Sequence, residues 1–129
     1  MSRHTERSDP LQFSMCRPRR DVTLLMVGGE IDLATAPRLR AELTSVGASR
    51  TETLVLDLSP VTFLAAAGLT VLVEAQAEAV RSHCRVLVIT TARSVERVLG
   101  ITGLSTEFHL VGSVDAALAE SASGYGETA

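Results

Sequence analysis

Glu30 and Asp32 stand two residues apart, and Asp57 closes an apolar run further along the chain. In an alternating α/β chain the strand ends and the loops after them gather on one edge of the sheet, so Asp32 and Asp57 are candidates for a shared rim. Two carboxylates on one rim are the pairing that acid–base chemistry uses. The competing reading is structural: Asp32 helps to cap the helix that follows, and Asp57 bonds loop amides. Residue type alone does not choose between them. His83 and Cys84 are adjacent, but zinc needs three or four ligands and neighbours on a strand point to opposite faces. His109 falls in an expected strand and His4 in the N-terminal segment, neither with an obvious second ligand nearby. No metal and no cofactor is expected. Cys84 reads as a small buried hydrophobe, with redox sensing as the alternative. Gly28-Gly29 reads as a strand-end turn and not a phosphate cradle, because no helix starts directly after it.

The chain lacks GxSxG, HExxH, GxGxxG and CxxC patterns. It also lacks Lys, so all 12 basic residues are Arg, which excludes a P-loop lysine and Schiff-base chemistry. An enzyme is not expected. Ala occurs 16 times and aromatic residues make up 3% of the 129 residues, a composition typical of a GC-rich coding sequence. That length fits one domain with a real core. Residues 1–20 hold five Arg against Glu6 and Asp9, whereas the remainder holds seven Arg against 13 acids. An acidic body argues against a nucleic-acid surface, and the Arg17-Pro18-Arg19-Arg20 cluster reads as a solvated turn. No apolar run reaches the roughly 20 residues that cross a membrane. The first residues lack an apolar signal region, and two distant cysteines are no disulfide framework. A reduced, cytoplasmic protein is expected.

Positioning falls to an alternating set of elements. Residues 11–16 alternate as a half-buried strand, and 22–27 read as a more buried second strand across a turn, giving an antiparallel hairpin. From Thr35, a plausible N-cap, Ala36, Leu39, Leu43 and Val46 repeat helically as far as Gly47. A strand over 53–58 is followed by a helix whose apolar stripe runs through Leu69, Leu72, Val73, Gln76, Ala77 and Val80, with Glu74, Glu78 and Arg81 opposite. A buried strand over 85–90, a helix capped by Ser94 through Val95, Val98 and Leu99, a strand over 108–111 and a helix capped by Ser113 complete the pattern. The order ββαβαβαβα predicts one mixed, mostly parallel sheet in a single α/β domain over residues 11–120. Residues 1–10 and 121–129 are expected to be tails.

The segment from Asp57 to Leu69 is the most informative. A helix start favours Ser, Thr or Asp to accept its unpaired N–H groups, yet here the positions carry Ala65, Ala66 and Ala67. Such a cap is typically worth about 0.5–2 kcal/mol. A helix start stripped of its polar cap is either compensated by neighbours or derives from a different motif.

Gly29-Glu30-Ile31-Asp32, the run from Leu54 through Asp57-Leu58-Ser59-Pro60-Val61-Thr62-Phe63-Leu64, and Gly68-Leu69 together resemble the STAS-domain family. Within it they are similar to the bacterial anti-sigma factor antagonists, and Ile101-Thr102-Gly103-Leu104 also fits. The resemblance spans about residues 11–120. It implies partner switching: an antagonist binds an anti-sigma factor, often a GHKL-type serine kinase, and frees the sigma factor. Phosphorylation of a serine in an Asp-Ser-Ser-Gly or Asp-Ser-Thr-Gly motif then weakens the complex, since phosphate adds about −1.5 to −2 charge to a contact surface. By position Ala65 replaces the motif Asp, Ala66 the acceptor Ser and Ala67 the second hydroxyl residue, while Gly68 remains. The resemblance therefore implies a binding module with a degenerate acceptor at Ala66, whose partner-binding residues are Asp32, Thr62, Ala65, Ala66, Ala67, Gly68 and Thr70. Thr62 and Thr70 are the nearby hydroxyls that could substitute. The alternative is a STAS subunit of a larger assembly, such as a lipid-transport ATPase complex or a stressosome-like particle. A homodimer is compatible with either.

Overall fold

In the computed structural model, residues 10–49, 51–91, 95–97, 99 and 109–128 are described. Among them, six strands form one sheet. Strand β1 (Leu11–Arg19) and β2 (Val22–Ile31) make the expected antiparallel hairpin, in register from Leu11 opposite Gly29 to Cys16 opposite Leu24. Helix α1 (Ala36–Ala48) leads into β3 (Thr53–Asp57), which pairs parallel to the first half of β2. Then β4 (Val61–Leu64), α2 (Ala66–Arg81), β5 (Arg85–Ile89), β6 (His109–Val111) and α3 (Val114–Thr128) follow. The strand order is β1-β2-β3-β5-β6, with β4 on the second half of β2. Val95–Arg97 and Leu99 are helical, as the periodicity predicts; Ser94, Val98 and Phe108 lie outside the described residues.

Three expectations are corrected. The sequence reads Gly28-Gly29 as a strand end, but β2 continues through it to Ile31 because β4 supplies a second parallel partner there. Gly29 carries φ +101°, and a Cβ on it would lie 2.0 Å from the Pro10 carbonyl oxygen, so this position requires glycine. The register of β2 on β4 shifts between Gly29 and Glu30, which marks a bulge inside the strand. The strand β4 is itself the second correction, since four residues that read as a loop pair with β2. Third, α3 runs on to Thr128 where a tail is expected from residue 121. Its start behaves as predicted: the Ser113 hydroxyl accepts the Ala116 N–H at 3.1 Å. Ser121 is buried on this helix, and the Ala-rich stretch before it favours continuation.

Alternation of side chains across the strands divides the core in two. On one face Leu25, Val27, Leu54, Leu56 and Val88 pack with Leu39 and Leu43 of α1, Leu69 and Leu72 of α2, and Val95 and Leu99. On the other face Val22, Val55, Leu87 and Ile89 pack with Ala117 of α3. The parallel strands β2, β3, β5 and β6 follow one another in sequence order without reversal. Among the described residues the crevice that a reversal of strand order opens for nucleotides is therefore not built.

Helix α2 is rolled relative to its sequence pattern. The expected stripe places Val73, Gln76, Ala77 and Val80 inward, but Val73 is 37% and Val80 65% exposed. The buried side is Gly68, Leu69, Val71, Leu72 and Ala79, with Ala75 packed beside them. Gly68 explains the roll. A Cβ there would lie 2.2 Å from Ile31 Cγ2 and 2.9 Å from Leu64 Cδ1, so the helix seats its first turn directly on the sheet. Residues three, four, seven and eleven later then turn inward, and Ala66, Thr70, Val73, Ala77 and Val80 form an outward stripe.

Candidate functional site

The rim formed by the end of β2, the strand β4 and the start of α2 gathers most of the residues singled out by sequence. Asp32 follows β2 directly. Its Oδ1 accepts the N–H groups of Ala34 and Thr35, each at 3.0 Å, and lies 3.1 Å from the Thr35 hydroxyl. Thr35 Oγ1 in turn accepts the Asp32 N–H at 2.9 Å and sits 2.9 Å from the Glu30 carbonyl. The Thr35 amide, followed by its hydroxyl, holds the Asp32 carboxyl below the ordinary carboxylate range. The sequence places Thr35 as the N-cap of α1. It occupies that position without a side-chain cap bond, and Asp32 supplies the loop-closing acceptor instead.

Asp57 makes its own turn. Its Oδ1 accepts the Ser59 N–H at 2.9 Å and the Ser59 hydroxyl at 2.6 Å. It is paired in register with Met26, six residues before Asp32. At the rise of a strand this separates the two carboxylates by about 20 Å. The shared acidic rim does not form, and each Asp has the loop-bonding role that was the competing reading.

At the start of α2, Ala65 has extended backbone (φ −90°, ψ 169°) with no side-chain cap bond. The bond made at this point is a backbone one: the Ala65 N–H donates to the Ile31 carbonyl at 2.8 Å and ties the helix start to β2. Of the aligned alanines, Ala66 is exposed, whereas Ala65 and Ala67 are half-buried and Gly68 is buried. The exposed position is thus the one the resemblance assigns to the phosphoacceptor, and it carries no oxygen. The two neighbouring hydroxyls are both engaged: Thr62 Oγ1 donates to the Gly29 carbonyl at 3.2 Å, and Thr70 Oγ1 to the Ala66 carbonyl at 3.1 Å.

Sequence reasoning missed the large apolar side chains on this rim. Leu33 is 80% and Phe63 52% exposed. Phe63 pairs in register with Glu30, three residues before Leu33, so both lie at the end of the sheet where the alanines start α2. Ala66, Thr70 and Val73 are exposed on the outward side of α2. The available signal was an apolar residue in each polar loop or short strand, and it carried no period to mark it as exposed.

Cys84 is half-buried, and burial pushes its thiol up, away from the thiolate that redox chemistry uses. Cys16 is exposed. Among the described residues no group of three or more His, Cys, Asp or Glu is placed to hold a metal ion. No helix among them is long and apolar enough to cross a membrane.

Comparison with known proteins matches this architecture. Residues 15–117 fit the model of the STAS domain. The anti-sigma-F factor antagonist RsfB of Mycobacterium tuberculosis is 35% identical over 97 residues, covering 75% of this chain and 79% of RsfB. The crystal structure of an anti-sigma factor antagonist from Mycobacterium paratuberculosis superposes with a TM-score of 0.78 at 31% identity, over 88% of this chain and 95% of that one. The anti-sigma factor antagonist SpoIIAA in its unphosphorylated form shares the fold, with a TM-score of 0.74 at 15% identity over 87% and 97% of the two chains. With its sheet order and these matches agreeing, the chain belongs to the STAS-domain family.

Proposed function

We propose that this chain is an anti-sigma factor antagonist: a non-catalytic module that binds an anti-sigma factor through the rim of Asp32, Leu33, Thr62, Phe63, Ala66 and Thr70, and so releases a sigma factor. The names of its relatives support the partner class. The observation that carries the reading is the exposure of Ala66 at the end of the sheet where Leu33 and Phe63 are also exposed. Exposed apolar side chains gathered at one end of a sheet are the kind of feature a partner buries. Because Ala66 offers no hydroxyl, engagement is constitutive with respect to serine phosphorylation at that position, and a GHKL-type kinase partner acts as a ligand and not as a switch. Ala65, Ala67 and Gly68 serve the site from beneath by shaping the helix start.

The test is affinity for the host anti-sigma factor with and without ATP. Wild type is expected to bind equally in both conditions and to gain no phosphate by mass spectrometry. Ala66→Glu should weaken the complex at least ten-fold, and Ala66→Ser should become phosphorylated if that partner is a kinase. Stoichiometric phosphate on Thr62 or Thr70 would overturn the constitutive reading. Unchanged affinity in Ala66→Glu would place the interface elsewhere.

A further inference from the structure

Strand β1 ends the sheet order, so one of its edges meets no other strand among the described residues. Its neighbour shows which backbone groups it turns that way. Gly29 stands opposite Leu11, yet its N–H donates to the Pro60 carbonyl at 3.0 Å and its carbonyl accepts the Thr62 hydroxyl at 3.2 Å, both on the side away from β1. Leu11–Gly29 is therefore a pair without ladder bonds, and alternation makes Phe13–Val27 and Met15–Leu25 the same. Leu11, Phe13 and Met15 thus turn their N–H and C=O groups to the open edge. The Leu11 carbonyl agrees, since it accepts Arg38 Nη2 at 3.0 Å. Natural edges are blunted by charge, proline or a bulge. Here such guards stand only at the two ends: Arg38 at Leu11, and Arg17, Pro18 and a register shift after Cys16. Between them residues 12–16 carry no charge, and Met15 is 55% exposed. Among the described residues nothing bonds the outward groups of Phe13 and Met15.

We propose that this edge pairs with β1 of a second copy of the chain, antiparallel about a two-fold axis at Ser14. Self-pairing must set outward-turned residues opposite each other, which allows an axis at Phe13, Ser14 or Met15. The first brings Met15 onto Leu11, whose carbonyl Arg38 already holds. The last brings Phe13 onto Arg17, in the irregular end of the strand. The Ser14 axis sets Phe13 against Met15 of the other copy, twice, each pair exchanging both N–H···O bonds and laying a thioether beside a ring. Charge selects the same partner. Antiparallel pairing keeps the two Arg17 side chains about 20 Å apart at the rise of a strand. It also carries each towards the end of the other strand, where Glu30 is exposed beside Pro10. A parallel neighbour would set Arg17 against Arg17. The contact is small, so the dimer is weak and concentration-dependent. It shares no residue with the proposed partner rim and does not depend on it.

The test is sedimentation velocity of the full chain from micromolar to millimolar concentration under reducing conditions. The mass should rise from monomer to dimer and no further. Ser14→Arg, at an exposed side chain, sets two guanidiniums directly opposite each other at the axis. Met15→Pro removes an outward N–H without costing the fold a ladder bond. Each variant should keep a folded amide spectrum and stay monomeric. Cross-linking reads the register. Ser14→Cys in a Cys16→Ser background should oxidise to a covalent dimer at least ten-fold faster than wild type, whose exposed Cys16 stands off the axis in both copies. A monomer at millimolar concentration would overturn the proposal, as would a mass that climbs beyond the dimer or a dimer that survives in Ser14→Arg. Wild type cross-linking as fast as the Ser14→Cys variant would overturn the axis at Ser14.

Discussion

Gly68 lies against Ile31 so closely that a Cβ on the glycine would sit 2.2 Å from the isoleucine Cγ2. That contact sets the depth and the roll of α2, and through them decides which side of the helix a partner can reach. Gly68→Ala is therefore expected to destabilise by about 1–3 kcal/mol, the usual range for overpacking a filled core. Urea unfolding should show the midpoint fall with the slope retained. A variant as stable as wild type would mean that the helix rides up at no cost and that Gly68 does not govern the seat. The family resemblance implies Gly68 as a partner-binding residue, but it is buried, so in the proposed interface it acts only indirectly.

Asp32 ties the end of β2 to the start of α1 through Ala34 and Thr35. Its carboxyl is held below the ordinary value of 3.8, chiefly by the Thr35 amide. A folded-state value below the unfolded one stabilises the fold wherever the group is ionised in both states. The contribution is full above about pH 4 and is lost as pH falls through the folded value. Asp32→Asn should accordingly be less stable than wild type at pH 7, with the gap narrowing at pH 3. A gap that stays constant with pH would assign the loss to shape and not to charge.

The sheet was readable because its apolar runs have the right length and spacing: strands at 22–27, 53–58 and 85–90 all appear close to their expected places. What escaped was tertiary. The pairing of β4 depends on β2 running through Gly28-Gly29, and a glycine pair has the same appearance whether the chain turns or bulges. The roll of α2 escaped for a related reason. Two apolar stripes overlap on that helix, and the sequence cannot say which one Gly68 brings down onto Ile31. The rim itself was legible as a set of alanines in the wrong place for a cap. Leu33 and Phe63 were not legible, since an exposed apolar side chain carries no local signature.

His83 closes α2 in the left-handed region at φ 59°. The Cys84 N–H donates to the Ala79 carbonyl at 2.8 Å, and the His83 N–H to the Val80 carbonyl at 3.2 Å. This pair of bonds is the Schellman ending, whose left-handed residue is ordinarily glycine. An L-residue with a Cβ is disfavoured there by roughly 1–2 kcal/mol, partly offset by the greater freedom glycine has in the unfolded chain. His83→Gly should therefore raise stability by roughly 1 kcal/mol and raise Tm by several degrees. A loss of stability would show that the imidazole makes a contact outweighing its backbone strain.

The roll of α2 makes opposite predictions for two valines nine residues apart. Val71 is 3% exposed and Val80 65%. The sequence pattern had Val80 on the inward stripe and left Val71 off it. Val71→Ala removes two buried methyl groups and should cost roughly 1.5–3 kcal/mol once the residual cavity is included. Val80→Lys adds a charge at a solvated position and should stay within about 0.5 kcal/mol of wild type. Thermal unfolding of the two variants side by side decides the matter: a reversed ranking would turn α2 back onto Val73, Ala77 and Val80, and would bury the outward stripe that carries Ala66 and Thr70 of the proposed partner surface.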